Sequence, residues 1–463
     1  MAHARSRRAR RFRSLYLAAW RWHCYAGLVL APLLFVLTST GTLYLFHNEI
    51  DAFLYADLIQ VEGGGPSLPL SAQEHSIRQA FPDARISRYA TPREAMVASE
   101  WSVVDKGGQR LSVFVNPRTA AVTGAVASSA RFSHVVRDLH GELMVGFIGE
   151  LIVEAAASST LLLLLTGAVL WWPRIRKRWR GFSLRGSASM RARLKELHAV
   201  PALWNAAIVV FLIMSGLPWS GFWGRNLARL GTLDVVAPIL KPTPNFAEFA
   251  ILDGHPNREE LPWSIRNAQF MTRPVLLTKT YPTSNHKALS IDDVAMIATQ
   301  RGLSRPGLRI FYPQDPRGTF TLNFIPDRAQ GQRTLRVDAR SGAVVLDLGW
   351  DEYSPLGKLV ELGVMIHMGR QFGSMNRVVL ALSSLVLLLT LATAMRMWWT
   401  RRPKRRSPAS TSDLGDEALG GMIWVPIVFA MAFPLGGASL LLFAIADNVI
   451  APAFGWRQLS SRQ

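Results

Sequence analysis

Two stretches of this chain carry one long pattern, and few folds can satisfy it. From His140 an apolar run leads to Thr166 and on to Trp171, Trp172 and Arg174. From His367 another leads to Thr393 and on to Trp398, Trp399 and Arg401. The His-to-Thr spacing is 26 positions in both copies and the His-to-Trp spacing is 31 in both. Runs of this length and hydrophobicity cross bilayers as helices, because hydrocarbon offers backbone polar groups no partner but their own helix. Each copy therefore reads as a span with a histidine at one end and a Trp-Trp-basic stop at the other. A second pair agrees: His23 to Gly41 and His198 to Gly216 are both 18 positions. The expected unit is span, outer domain, span, used twice in one orientation, a parallel repeat about an axis along the membrane normal.

The charge supports a membrane reading over a nucleic-acid one. The net charge is +20, but the basic residues crowd Arg5–Arg13, Arg174–Lys195 and Arg401–Arg406, each beside a span, as the positive-inside rule requires. The sole cysteine, Cys24, excludes an internal disulfide and any thiolate metal cage. The expected fold is a polytopic α-helical membrane protein with five spans, at 20–46, 136–172, 197–223, 357–399 and 421–447. Residues 1–19, 173–196 and 400–420 are expected in the cytoplasm, and 47–135, 224–356 and a tail at 448–463 outside. The basic N-terminus reads as retained, since no small-residue cleavage site follows it.

Each outer region reads as a small α+β domain. In the first, a helix over Ala72–Ala80 precedes a hairpin of Trp101–Val104 and Leu111–Gly124 turning at Asn116-Pro117. In the second, a helix over Ile291–Arg301, a strand over Thr319–Phe324 and a hairpin over Arg333–Leu346 are expected.

These residues resemble the PepSY-associated transmembrane family along nearly the whole chain. The carriers are Trp22-His23-Cys-Tyr-Ala-Gly27, Leu139-His140-Gly-Glu-Leu143, Leu165-Thr166-Gly-Ala-Val-Leu-Trp-Trp-Pro-Arg174, Leu197-His198, and His367-Met-Gly369-Arg370-Gln-Phe-Gly373. The segments Val115-Asn-Pro-Arg-Thr119 and Val337-Asp-Ala-Arg-Ser-Gly342 look like PepSY domains, with Ala120 standing where a glycine is usual. The resemblance implies an iron-regulated, haem-bearing reductase of ferric siderophores in the bacterial inner membrane.

The residues argue for haem beside the resemblance. A lone histidine at a helix end is usually just solvated, but four in register at membrane depth call for a reason. Two histidines on facing helices can bind b-type haem through both axial positions. Topology pairs His23 with His198 near the cytoplasmic face and His140 with His367 near the outer face, giving two bis-His haem b groups. Cys-x-x-Cys-His is absent, so neither is covalently attached. His134 is a rival ligand to His140, and Arg137 and Arg370, three positions from His140 and His367, suit haem propionates. Glu150 and Glu154 stand one turn apart in the second span, with Arg377 as the expected partner of Glu150. A proton route is the sharper reading of the two glutamates.

No nucleotide fingerprint follows a strand, so electrons must come from a cytoplasmic flavin reductase, free reduced flavin or a membrane quinol. Three functions fit: a ferric-siderophore reductase, a siderophore or iron transporter, and a PepSY-type binding or inhibitory module without redox activity.

Overall fold

The computed structural model describes residues 2–62, 65–176, 181–186, 189–230, 289–303, 306–314, 318–324, 326–400 and 424–445. Much of the second outer region (231–288, with His255 and His286), the basic run Arg401–Arg406 and the expected outer tail lie outside these residues, as do the side chains of 1–15. In chain order the helices are α1 (Ala2–Leu45), α2 (His47–Leu54), α3 (Ala56–Ile59), α4 (Leu70–Ala80), α5 (Phe132–Glu142), α6 (Phe147–Ile175), α7 (Met190–Gly216), α8 (Trp223–Leu230), α9 (Ile291–Gln300), α10 (Pro355–His367), α11 (Gly373–Thr400), α12 (Trp424–Ala432) and α13 (Pro434–Ile445). The strands are β1 (Arg85–Ala90), β2 (Ser99–Val104), β3 (Arg110–Val115), β4 (Val122–Ala127), β5 (Leu308–Phe311), β6 (Thr319–Phe324), β7 (Arg333–Asp338) and β8 (Val344–Gly349). The chain divides into a helical unit (1–42, 138–225, 378–463) and a sheet unit (43–137, 226–377).

Among the described residues, four helices are long and apolar enough to cross a membrane: Ala19–Leu45, Phe147–Ile175, Met190–Trp219 and Gly373–Thr400. The expected fifth span is not a continuous helix. It is divided into α12, of 9 residues, and α13, of 12. At 1.5 Å per residue neither approaches the roughly 30 Å of a hydrocarbon core. The break falls at Phe433, because Pro434 has no N–H and its ring disfavours a helical residue before it. The two pieces then fold onto each other: a Cβ on Gly437 would lie 2.4 Å from that of Ala430. Residues seven apart on one straight helix would be about 10 Å apart. Gly436 packs against Phe429 and against Ser158 of α6.

The sheet unit corrects the expectation of two separate domains. The eight strands among its described residues form one antiparallel sheet in the order β4-β3-β2-β1-β5-β6-β7-β8. Two four-stranded meanders meet edge to edge where β1 pairs with β5, Tyr89 opposite Ile310 and Ala90 opposite Arg309. Merging them removes two open edges that would otherwise invite aggregation. One core serves both halves: Ile77 of α4 and Ile291 and Val294 of α9 pack with Trp101, Val113, Val115, Leu322, Leu335 and Val337. Asp292 of α9 also accepts from the Leu70 and Ser71 backbone N–H groups at the start of α4, at 2.7 and 3.2 Å.

The opposite face is charged. Arg131 donates to Asp51 at 2.8 Å and to Glu100 at 2.9 Å, and Arg88 donates to Glu100 at 2.6 Å. Burial alone would raise the Glu100 pKa, but Arg131 and Arg88 hold it well below the usual carboxylate range. Asp51 further accepts from the Ser133 hydroxyl at 2.7 Å, which ties down the first turn of α5. Removing one partner from such a set leaves an uncompensated charge, at a cost of about 3 kcal/mol.

The two hairpin turns share one design. The Asn116 side chain accepts from the Arg118 N–H, and the Asp338 side chain from the Arg340 and Ser341 N–H groups. The fifth residue of each turn is left-handed: Gly342 at φ +70°, but Ala120 at φ +59°. Ala120→Gly should therefore stabilise the protein by about 1 kcal/mol. A thermal unfolding curve of the detergent-solubilised variant should shift upward, and a downward shift would show that burying the Ala120 methyl outweighs the strain.

Candidate functional site

Histidine placement is decided by hydrogen bonds, since a ring at membrane depth cannot rely on water. His23 on α1 and His198 on α7 come together in the helical unit, ring centres 6.1 Å apart and planes at 83°. Nδ1 of His23 lies 3.0 Å from the Thr166 hydroxyl. That hydroxyl already donates to the carbonyls of Leu162 and Leu163, so it accepts from His23. Nδ1 of His198 lies 3.0 Å from the Thr390 carbonyl, which can only accept. Both rings thus carry their proton on Nδ1 and present Nε2 as the basic nitrogen.

His140 is held in the same way. Its Nδ1 lies 2.9 Å from the Leu37 carbonyl and 3.2 Å from the Thr40 hydroxyl, which itself donates to Val36. Glycines make room for two of the rings. A Cβ on Gly167 would come within 3.3 Å of His23, and one on Gly41 within 3.0 Å of His140.

His140 and His367 do not sit on the spanning helices themselves. His140 is on α5, and the chain reaches α6 through Leu143 and Met144, both left-handed, and Gly146. The corner closes so tightly that a Cβ on Gly149 would lie 1.6 Å from the Glu142 carbonyl oxygen. His367 is the last residue of α10 in the sheet unit, followed by the left-handed Gly369. The turn after it is pinned by Gln371, which accepts from the Ala329 N–H at 2.9 Å, and by Asn376, which donates to the Ile366 carbonyl at 3.1 Å. His134 lies on α5 nearly two turns before His140, and Arg137, between them, is exposed. Arg370 lies in the turn after His367 and is partly buried.

The membrane carboxylates have structural partners that the sequence reading missed. Glu154 is 2 % exposed, and its Oε2 accepts from the Phe222 and Trp223 N–H groups at 2.8 and 3.0 Å. It caps the start of α8 rather than ending in apolar surroundings. Gly221 passes directly over Glu150, where a Cβ would meet Oε2 at 2.7 Å. Arg377, the expected partner of Glu150, instead donates to Glu49 of the sheet unit. Asn205 and Ser383 form another buried link, Ser383 donating to Asn205 at 2.7 Å and Asn205 donating back to the Ser383 carbonyl at 2.8 Å.

Among the described residues no group of three or more His, Cys, Asp or Glu side chains converges as for a bare metal ion. The pair of side chains that does come together is the two imidazoles of His23 and His198, the residue type that supplies both axial ligands of b-type haem. Two imidazoles sharing one metal at about 2 Å per bond have ring centres roughly 6 Å apart, which the His23–His198 separation matches. A ligating histidine also normally donates its other ring N–H to a carbonyl or hydroxyl, as His23 and His198 do.

The PepSY-associated TM region matches this chain over residues 20–401, and the chain belongs to that family. No curated protein matches it.

The Glu154 cap can be tested directly. Glu154→Gln keeps an acceptor oxygen and should lose about 1 kcal/mol, while Glu154→Leu leaves both N–H groups without their acceptor and should lose about 3 kcal/mol. Equal melting temperatures for the two variants in detergent would show that the carboxylate is not the anchor of this turn.

Proposed function

We propose that the chain is a haem-dependent reductase of the bacterial inner membrane that passes electrons to a ferric siderophore outside the cytoplasm. The observation that carries this reading is the His23–His198 pair, with matched ring separation and both Nδ1–H groups engaged. Bound haem b would supply a one-electron Fe³⁺/Fe²⁺ couple. His23 and His198 would ligate one haem, with Thr166 and the Thr390 carbonyl fixing ring tautomer and orientation. For a second haem, sequence register alone suggests His140 and His367 as ligands, His134 as the alternate, and Arg137 and Arg370 for its propionates. The Leu37 carbonyl already sets His140 in the required tautomer.

Hard oxygen donors hold Fe³⁺ more tightly than Fe²⁺, so delivering one electron loosens the metal without breaking the ligand. A cytoplasmic flavin reductase, free reduced flavin or a membrane quinol would supply the electrons. The transport reading leaned on Glu150 and Glu154, and Glu154 is committed to two backbone N–H groups.

Purified protein should be coloured, with a Soret band that shifts on dithionite. His23→Ala and His198→Ala should each remove the same haem, taking the content from about two per chain to about one. Loss of different haems in the two variants would break the pairing. The dithionite-reduced protein should reoxidise on mixing with a ferric siderophore and colour a ferrous trap, and failure to do so would end the reductase reading.

The N-terminus is assigned to the cytoplasm by its basic run. On this reading four crossings followed by a hairpin that doubles back would leave Ile445 on that same side, not outside as five crossings would. A reporter active only in the periplasm should be silent when fused after Ile445, and signal there would restore a fifth crossing.

A further inference from the structure

Glu150 and Arg225 are opposite charges that meet at one point of the helical unit without pairing. Gly221 marks the point: a Cβ there would lie 2.7 Å from Oε2 of Glu150 and 3.3 Å from Nη2 of Arg225. Among the described residues neither side chain makes a hydrogen bond or an ion pair. Arg225 instead rests its guanidinium 4.2 Å from the centre of the Phe147 ring. The backbone around both is fixed. Glu154 holds the Phe222 and Trp223 N–H groups, and Nε1 of Trp223 donates to the Ala432 carbonyl at 3.2 Å. The start of α8 therefore presents Arg225 in one place, and the first turn of α6 presents Glu150.

Helix length sets the depth of the two charges. The span that begins at Phe147 has 29 residues. At 1.5 Å per residue that is about 43 Å, against roughly 30 Å of hydrocarbon. Its first turn thus reaches the level of the lipid headgroups. The following span ends at Trp219, and α8 begins at Trp223, so Arg225 lies at the same level. Glu150 is half-buried, Arg225 is exposed and the Phe147 ring is 51 % exposed, so the pair opens to the surface of the bundle. Two unlike charges held apart at the headgroup layer match a ligand that carries both signs itself.

We propose that Glu150 and Arg225 bind the headgroup of one phospholipid that carries a primary amine, as phosphatidylethanolamine does. The lipid ammonium donates to the Glu150 carboxylate, and the Arg225 guanidinium donates to the lipid phosphate. Glycine at position 221 keeps a Cβ out of the gap between the two charges, and the open Phe147 ring lies against the lipid. Other headgroups fit less well. Choline has no N–H to offer Glu150, and phosphatidylglycerol has no cation, so Glu150 repels it. The site rests on α6 and α7 crossing the membrane, and not on the reductase reading.

Native mass spectrometry of the delipidated full chain in detergent tests this, with phosphatidylethanolamine, phosphatidylcholine and phosphatidylglycerol of identical acyl chains. One phosphatidylethanolamine per chain should be retained about tenfold more tightly than either other lipid. Glu150→Gln should lower it to the level of phosphatidylcholine, and Arg225→Gln should weaken it about tenfold. Gly221→Ala places a methyl between the charges and should weaken it as well. Arg225 is exposed, so its variant serves if either of the others fails to accumulate. Glycerophosphoethanolamine, the headgroup without acyl chains, should not displace the lipid at equal concentration, and displacement would overturn the lipid as the source. Equal retention of the three lipids by the native chain, or an unchanged preference in the variants, overturns the proposal and leaves Glu150 and Arg225 to pair with each other. Haem content does not enter the readout, so a failure of the reductase reading is told apart from a failure of this site.

Discussion

Polar groups on apolar helices look for partners inside the protein, and the arrangement of the bundle follows from the pairs they make. The ring nitrogens of His23, His198 and His140 reach across to a carbonyl or hydroxyl on a neighbouring helix. Thr166 and Thr40 can serve as acceptors because each spends its own hydrogen on a carbonyl one turn back. Asn205 and Ser383 tie α7 to α11 by a reciprocal pair. Helix packing between apolar surfaces alone has little directional preference in lipid, so these contacts set helix rotation. The histidines come to face one another as a result.

In the sheet unit water is accessible, and burial of apolar side chains does the corresponding work. Trp101, Val113, Leu322 and Leu335 are fully buried between the sheet and α4 with α9. The charged face then has to be balanced by geometry. Glu100 is shared by two arginines, and Asp51 both neutralises Arg131 and holds the first turn of α5 through Ser133.

Hydrophobic period and turn chemistry made much of this chain legible. The four spans follow from long apolar runs bounded by tryptophan and arginine, and the Thr319–Phe324 strand and the two hairpins from alternation and Asx turns. The histidines were found by equal spacing alone. Other features carried no local signal. β1 reads Arg-Ile-Ser-Arg-Tyr-Ala and β5 has only four residues, so neither announces a central strand, yet their pairing makes one sheet of two. Arg88 is tolerated at that central position only because Glu100 lies beside it.

The same division holds at the functional residues. Spacing in the sequence singled out His23, His198, His140 and His367 as span-end residues, because a histidine at membrane depth is costly enough to stand out against an apolar run. The last apolar run reads as one continuous span, although Pro434 lies inside it; with no N–H at that position, the helix ends before it. Only the tertiary structure decided that His23 and His198 meet at 6.1 Å, that Glu154 caps a turn 68 residues away, and that Arg377 turns to Glu49. Partner choice among buried polar groups depends on which atoms the packing brings within about 3 Å, and a linear spacing does not contain that information.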